Sequence, residues 1–538
     1  MGGWVGTRRR FLRLAAAGAA LLSPAARAAA RAPLLAGVRI STRRPFSGDG
    51  PGLATIGVVG DRKSARLHFV LRRPARVVLD TLVTGQGPAT EQLVADAAQQ
   101  TVGTQTLALP AGAHTLEWKP EATLQPRTYV LRLQARDRTG QQAEQRSTVR
   151  VLGVDAGFTS LGAAPGEVAV LSVRTDASQL TVQFLHCGPE DELTYANDEI
   201  RGIPVTDPLT LDWARNIDEP APVRLRIGDW QSGVYAVRLE ADDGRLGFAP
   251  IVVRPVRPEQ RVAVVIPTST WQAYNFYDAD GDGWGDTWYA RWKTTTVDPT
   301  RPHANRGVPY RFRSYDLQFL RWLAARGHAA DFYADTDLER FAGAAALRRA
   351  YDLLVFPGHT EYVTTQLYDL VTGFRDSGGN LMFLSANNFF RRIERSPREL
   401  LLVDEWRSLG RPEAALCGVQ YHASDRGERH APFTVTGGHV APWAFEHTGL
   451  EQGDEFGLYG IEIDARAPSS PRTTQVLAVI RDLFGKGRSA EMTYYRHGSG
   501  AQVFSAGVLN FGGQILLWPE TRRLVENVWR RLAEPRSS

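Results

Sequence analysis

The sequence predicts a multidomain protein, with two β-sandwiches followed by a mostly parallel, doubly wound α/β domain. Three observations predict it. The chain has 538 residues, whereas single hydrophobic cores stop growing at roughly 250–300. From about residue 33 to 255 it is rich in short alternating apolar runs punctuated by glycine and proline, the pattern of sandwiches. From Arg261 onward, short apolar runs alternate with helix-spaced ones, the pattern of strand–helix units on a parallel sheet. The expected boundaries are 1–30 for a leader, 31–153 and 154–258 for the sandwiches, and 259–538 for the α/β domain.

The leader comes first. Arg8-Arg9-Arg10-Phe11-Leu12 precedes a short apolar stretch and small-residue cleavage sites at Ala26-Arg27-Ala28 and Ala28-Ala29-Ala30. This reads as a twin-arginine export signal, with the twin-arginine translocase as a partner and a periplasmic or extracellular destination. The stretch is shorter than the roughly 20 apolar residues of a membrane span, and no later segment reaches that length. Residues 1–30 hold five Arg and no acid. Without them the formal net charge of +5 falls to about zero. Nucleic acid is thus excluded as a partner, since no basic patch with interleaved aromatics appears either. Cys187 and Cys417 form no CxxC or ligand cluster and read as two separate buried thiols.

In the first sandwich, Ala65–Leu71, Ala75–Leu79 and Tyr129–Ala135 read as strands. Arg44-Pro45-Phe46-Ser47, Leu109-Pro110-Ala111-Gly112 through Trp118, and Thr128-Tyr129-Val130-Leu131 resemble the immunoglobulin-like domain of bacterial hook-capping proteins. The second sandwich closes on the glycine-led run Trp230 to Leu239.

In the α/β part, Arg261–Ile266, Leu353–Phe356, Leu381–Leu384 and Gln502–Phe504 read as buried strands. Helical spacing marks Leu317–Leu323, Leu367–Phe374 and Leu524–Leu532. Three polar loops follow strand ends: Thr268–Asn275, Pro357–Tyr362 and Ser385–Asn388. Loops at the carboxyl ends of parallel strands open into one crevice. Tyr274, His359, Glu361 and Asn387 are therefore expected to converge there. Just after the first loop, Asp278, Asp280, Asp282 and Asp286 alternate around glycine. With the carbonyl of Trp284 they have the composition of a Ca²⁺ loop.

Familiar hydrolase signatures are missing. There is no GxSxG elbow, no HExxH and no P-loop around Gly485-Lys486. The predicted sheet is similar to that of class I glutamine amidotransferases. Gly358-His359-Thr360-Glu361 stands at the turn where their nucleophilic cysteine would sit, so thiol chemistry is excluded at that position.

The motifs Thr270-Trp271-Gln272-Ala273-Tyr274-Asn275, Tyr315 to Leu323, Gly358-His359-Thr360-Glu361-Tyr362, Gly378 to Asn388 and Phe445 to Leu450 resemble the large (beta) subunit of N,N-dimethylformamidase and its relatives. The resemblance implies an amidotransferase-like fold, small-amide hydrolysis and a mononuclear iron held by two tyrosines and a glutamate. It assigns Tyr274, Tyr235 and Glu361 as iron ligands, and His359 and Asn387 as groups that orient the substrate or move a proton. Phenolate and carboxylate are hard donors suited to Fe(III). The leader, the first sandwich and the acidic loop depart from that enzyme. An oligomer or a small partner subunit is compatible with the resemblance. The competing expectation is a non-catalytic exported protein that grips a ligand or polymer on a degenerate amidotransferase-like scaffold.

Overall fold

The computed structural model describes residues 33–58, 60–84, 99–121, 124–291, 296–425 and 427–533. The twin-arginine leader lies outside them. The chain is multidomain and mostly β.

Two pairs of facing sheets come first. A five-stranded sheet and the three-stranded sheet Leu35–Ser41, Ala65–Leu71, Gly112–Trp118 enclose one core, in which Leu67, Phe69, Leu131 and Val149 are buried. Strand Ala65–Leu71 alternates strictly, so every second side chain enters that core. The next core lies between a six-stranded sheet containing Gly233–Ala241 and Leu246–Val253 and a three-stranded sheet containing Val168–Arg174. Both cores carry a tyrosine fastened back to the chain four residues upstream. Tyr129 donates to the Gln125 carbonyl at 2.6 Å, and Tyr235 donates to the Gln231 carbonyl at 2.8 Å.

A nine-stranded sheet follows. Its first half is parallel, in the order Asp331–Ala334, Val262–Ile266, Leu353–Phe356, Asn380–Phe383, Gln502–Ser505. Alternate residues of these strands feed two cores. Val262, Val264 and Ile266 join the helices Gln318–Arg326 and Pro519–Ala533 on one face, and Ala263 and Val265 join the helix Thr365–Asp376 on the other. Burial on both faces explains why these strands read as unbroken apolar runs. The second half is antiparallel: Ala490–Arg496, Gln475–Ile480, His430–Val435, Glu455–Gly460. The sequence predicts no strands between 385 and 502, so this half is an addition to the expected sheet. Cys187 and Cys417 are free and buried in separate cores.

The two outer helices are tied by one carboxylate. Glu526, with a side chain 2% exposed, accepts from Arg326 Nε at 3.0 Å and Arg530 Nε at 2.7 Å, and faces His328 Nε2 at 3.0 Å. Burial raises its pKa, but the His328 and Arg326 contacts outweigh it and hold the carboxyl at about 2. A depressed carboxylate contributes stability above its unfolded pKa and loses it as pH falls through the folded value. Glu526→Gln should therefore lower the unfolding free energy by about 2 kcal/mol at pH 7. The gap should narrow as the pH falls from about 4.5 to about 2, which urea unfolding across that range would measure.

Candidate functional site

The site is assembled from three strand ends. Strand Val262–Ile266 runs directly into the short helix Thr268–Ala273, every residue of which is buried. The Asp335 carboxylate accepts from the Ser269 amide at 2.9 Å and from the Thr268 hydroxyl, holding the start of this helix. The helix ends on Tyr274, at φ −90° and ψ 7°.

Strand Leu353–Phe356 delivers the second loop. Gly358 is required there, because an added Cβ would lie 2.2 Å from Asp316 Oδ1. Thr270 Oγ1 then accepts the amides of Glu361 and Tyr362 at 3.1 and 3.2 Å, registering this loop on the first helix. Strand Asn380–Phe383 delivers the third. Asn387 adopts a left-handed backbone, φ 54°, and its amide donates to Asp464 Oδ1 at 2.9 Å.

These loops bring Tyr274, His359, Glu361 and Asn387 together. The Tyr274 hydroxyl donates to Glu361 Oε2 at 2.6 Å, and His359 Nε2 lies 3.5 Å from the same oxygen. Asn387 Nδ2 donates to Glu462 Oε2 at 2.8 Å. His359 Nε2 and Asn387 Oδ1 are buried without a hydrogen-bond partner among the described residues. In a packed interior such orphaned atoms call for an explanation, and a bound ligand is one.

Four further residues belong to this cluster. The Tyr289 hydroxyl lies 3.4 Å from Glu361 Oε2 and in short contact with the Tyr362 hydroxyl, while its ring stacks on Tyr274 at 4.5 Å between centroids. Tyr362 is buried beside them. Glu462 Oε2 is 3.9 Å from His359 Nε2, and Asp464 holds the Asn387 backbone. Tyr289 hides in the run Trp288–Arg291, with no motif to mark it. Glu462 and Asp464 alternate with buried Ile461 and Ile463, and Glu462–Ala465 is a strand. An acid on each alternate residue of a buried strand was the signal available in the sequence.

Tyr235 is a correction. Its ring stacks on His186 at 4.6 Å and on Trp230 at 5.2 Å in the second sandwich core, and its hydroxyl is committed to the Gln231 carbonyl. It lies in a different core from Tyr274 and does not line the cavity beside Glu361. A tyrosine that ties a sandwich strand to the chain four residues upstream has its hydroxyl used structurally.

The electrostatics follow from burial. Glu462 is pushed well above the usual carboxylate range by burial and then by Glu361. Burial raises Glu361 too, against the hydrogen bond from Tyr274. The phenols of Tyr274, Tyr289 and Tyr362 are raised by burial and by the Glu361 charge. His359, lowered to about 3 by burial, is neutral. Two carboxylates and three phenols thus share a buried site, where the Arg391 charge only partly offsets the effect of burial on Glu361 and Tyr362. Two phenol oxygens converge on one carboxylate oxygen, a set of hard donors that fits an iron held by two tyrosines and a glutamate. A cavity of about 610 Å³ opens beside it, lined among others by Tyr274, Tyr289, Glu361, Asn387 and Glu462.

The acidic loop is elsewhere. Carboxylate oxygens of Asp278, Asp280 and Asp286 lie within 4.8 Å of one another. Asp282 is outside that group, and its Oδ1 accepts the Trp284 amide at 2.8 Å. The carboxylates also brace the loop, as Asp278 accepts the amides of Gly281 and Gly283 at 2.7 and 2.8 Å. The loop sits on the first sandwich. Thr84 Oγ1 donates to the Gly283 carbonyl at 2.6 Å, and Arg150 donates to the carbonyls of Asp278 and Ala279 at 3.1 and 2.9 Å.

The sequence model of the family described as N,N-dimethylformamidase beta subunit-like, C-terminal, matches residues 203–521, more than half of the chain. The chain belongs to this family. It is similar to the N,N-dimethylformamidase beta subunit of an Alcaligenes species, 27% identical over 182 residues, covering 32% of this chain and 23% of that protein. A Paracoccus aminophilus protein of the same name is 26% identical over 182 residues, with the same shares. The matched part thus spans less than a quarter of those relatives. Among solved structures, Escherichia coli alpha-2-macroglobulin gives a TM-score of 0.23 at 11% identity, covering 42% of this chain and 17% of that one, too low to carry an argument. Among the described residues no helix is long and apolar enough to cross a membrane.

Tyr235→Phe tests the correction. Losing its hydroxyl strands the Gln231 carbonyl, and the unfolding free energy should fall by about 1–2 kcal/mol. Catalytic and ligand-binding properties should stay as they were, to be checked by denaturant unfolding beside the assays below.

Proposed function

We propose that this protein is an exported hydrolase of amide C–N bonds, working through one iron held by Tyr274, Tyr289 and Glu361. The observation that carries the reading is the convergence of the Tyr274 and Tyr289 hydroxyls on Glu361 Oε2, beside the partnerless His359 Nε2 and Asn387 Oδ1. The family relationship supports it, since the relatives are named for an amidase. In this reading the sheet is amidotransferase-like, the sandwiches are immunoglobulin-like, and the leader sends the folded chain across the membrane.

The iron would supply Lewis acidity toward an amide carbonyl. Asn387 and His359, with free polar atoms facing the cluster, orient the amide. Glu462 sits within reach of both and has a raised pKa, so it suits proton transfer. It takes a proton from the water that adds to the carbonyl carbon and passes it to the nitrogen as the C–N bond breaks. The products are a carboxylic acid and an amine. Tyr274, Tyr289 and Tyr362 form an aromatic wall of the cavity. A beta subunit in the relatives makes an oligomer or a partner subunit part of the proposal.

Glu361→Gln keeps the shape and removes the anionic oxygen. Iron content should fall at least tenfold, with the tyrosinate–iron visible band and amide hydrolysis lost together, while Tyr289→Phe should shift or bleach the band. A wild-type protein that takes up no transition metal on reconstitution would decide for a non-catalytic binding protein.

For the acidic loop we propose one Ca²⁺ held by Asp278, Asp280 and Asp286. Occupancy would fasten the α/β part to the first sandwich. Calcium should raise the melting temperature, by linkage, and Asp280→Ala should abolish the rise. Identical melting curves in calcium and in chelator would reject it.

A further inference from the structure

The cavity beside Glu361 is larger and more acidic than a one-carbon amide needs. Its volume is about 610 Å³, within the ~300–1,000 Å³ that takes drug-sized ligands. Beyond the buried Glu361 and Glu462, its lining carries three more acids, Glu405, Asp425 and Glu428. The basic residue on the described lining is Arg391. That guanidinium is already engaged, 3.5 Å from Glu405 and stacked over Phe390 at 4.5 Å. Asp425 meets Arg429 at 3.3 Å from outside the lining, while Glu428 has no ion pair among the described residues.

Part of the wall is aromatic. Phe390 and Tyr421 line the cavity, and their rings pack at 5.3 Å. Phe390 already holds Arg391 at 4.5 Å and Arg407 at 4.8 Å over its ring, so its π surface is taken and the acids are left to attract a ligand's positive charge. At the inner end Asn387, 3% exposed, lines the cavity with its Oδ1 unpartnered. An amide N–H would complete it. The cavity thus offers an amide-sized inner end and a negative, partly aromatic lining.

We infer that the substrate is an amide carrying a cationic group some atoms from the scissile bond, such as an acylated diamine. The amide occupies the end near Glu361 and Asn387, and the ammonium lies toward Glu428, Asp425 and Tyr421. This deepens the amidase reading and rests on it for the reaction, but not for the binding. Electrostatic focusing in an acid-lined cleft raises the local concentration of a cationic ligand and makes its capture dependent on salt.

Three matched probes test the inference on the full-length, metal-loaded protein. They are N-(4-aminobutyl)acetamide, its neutral counterpart N-pentylacetamide, and the anionic 4-acetamidobutanoate. Binding is read by calorimetry and turnover by amine or acetate release. The cationic amide should bind about tenfold more tightly than the neutral one, about 1.4 kcal/mol. The anion should bind most weakly, and the cation's advantage should shrink between 20 mM and 500 mM salt. The double variant Glu428→Gln/Asp425→Asn should cut the cation-to-neutral ratio at least threefold. Equal affinities, or an anion that binds best through Arg391, would overturn the inference and leave amide hydrolysis intact. The expected order of binding with none of the three probes hydrolysed would uphold the cation site and count against the amidase reading.

Discussion

Everything near the site depends on keeping Glu361 buried beside Glu462. An isolated ionised carboxylate in such a place costs several kcal/mol, so it must be hydrogen-bonded, neutralised or paired with a cation. The surrounding structure supplies hydrogen bonds. Tyr274 donates to Glu361, Asn387 to Glu462, and Thr270 Oγ1 pins the backbone that carries Glu361. Tyr274 and Thr270 follow one strand and Asn387 another, so the loop that carries Glu361 and the strand that carries Glu462 are each tied to a separate segment through an acid that neither could bury alone. The left-handed Asn387 and the Cβ-free Gly358 are the local concessions that let the loops approach so closely.

The same constraint links scaffold to chemistry. Burial disfavours the anionic forms of the groups gathered around Glu361. Burial and the Glu361 charge raise the pKa of all three phenols. The neutral His359 then contributes polarity without adding charge. Glu405, Asp425 and Glu428 line the same cavity and shape the potential that an approaching molecule meets.

The sandwiches are more than an N-terminal appendage. The acidic loop that follows the Tyr274 segment ends against the first one, through Thr84 and Arg150. An added Cβ at Gly283 would lie 2.2 Å from Val130 of that sandwich. A glycine that turns the acidic loop thus also serves close packing between domains. Tyr129 and Tyr235 show the other side of the same economy: two tyrosines with identical upstream tethers and purely structural work.

By itself the sequence determined what local pattern can encode. Period-two runs marked the sandwiches, unbroken apolar runs marked the strands buried on both faces, and the loops after them named Tyr274, His359, Glu361 and Asn387. The family resemblance was legible in those same loops. The antiparallel half of the large sheet escaped, because its register comes from pairing between segments such as Gln475–Ile480 and Ala490–Arg496 rather than from any one segment's pattern. Tertiary structure alone decided which tyrosine accompanies Tyr274. Tyr235 and Tyr289 are chemically identical, and only the fold commits one hydroxyl to a backbone carbonyl and brings the other to Glu361. It also decided that Glu462 and Asp464 join the site, since they are distant in sequence from Asn387 and meet it only in the folded chain.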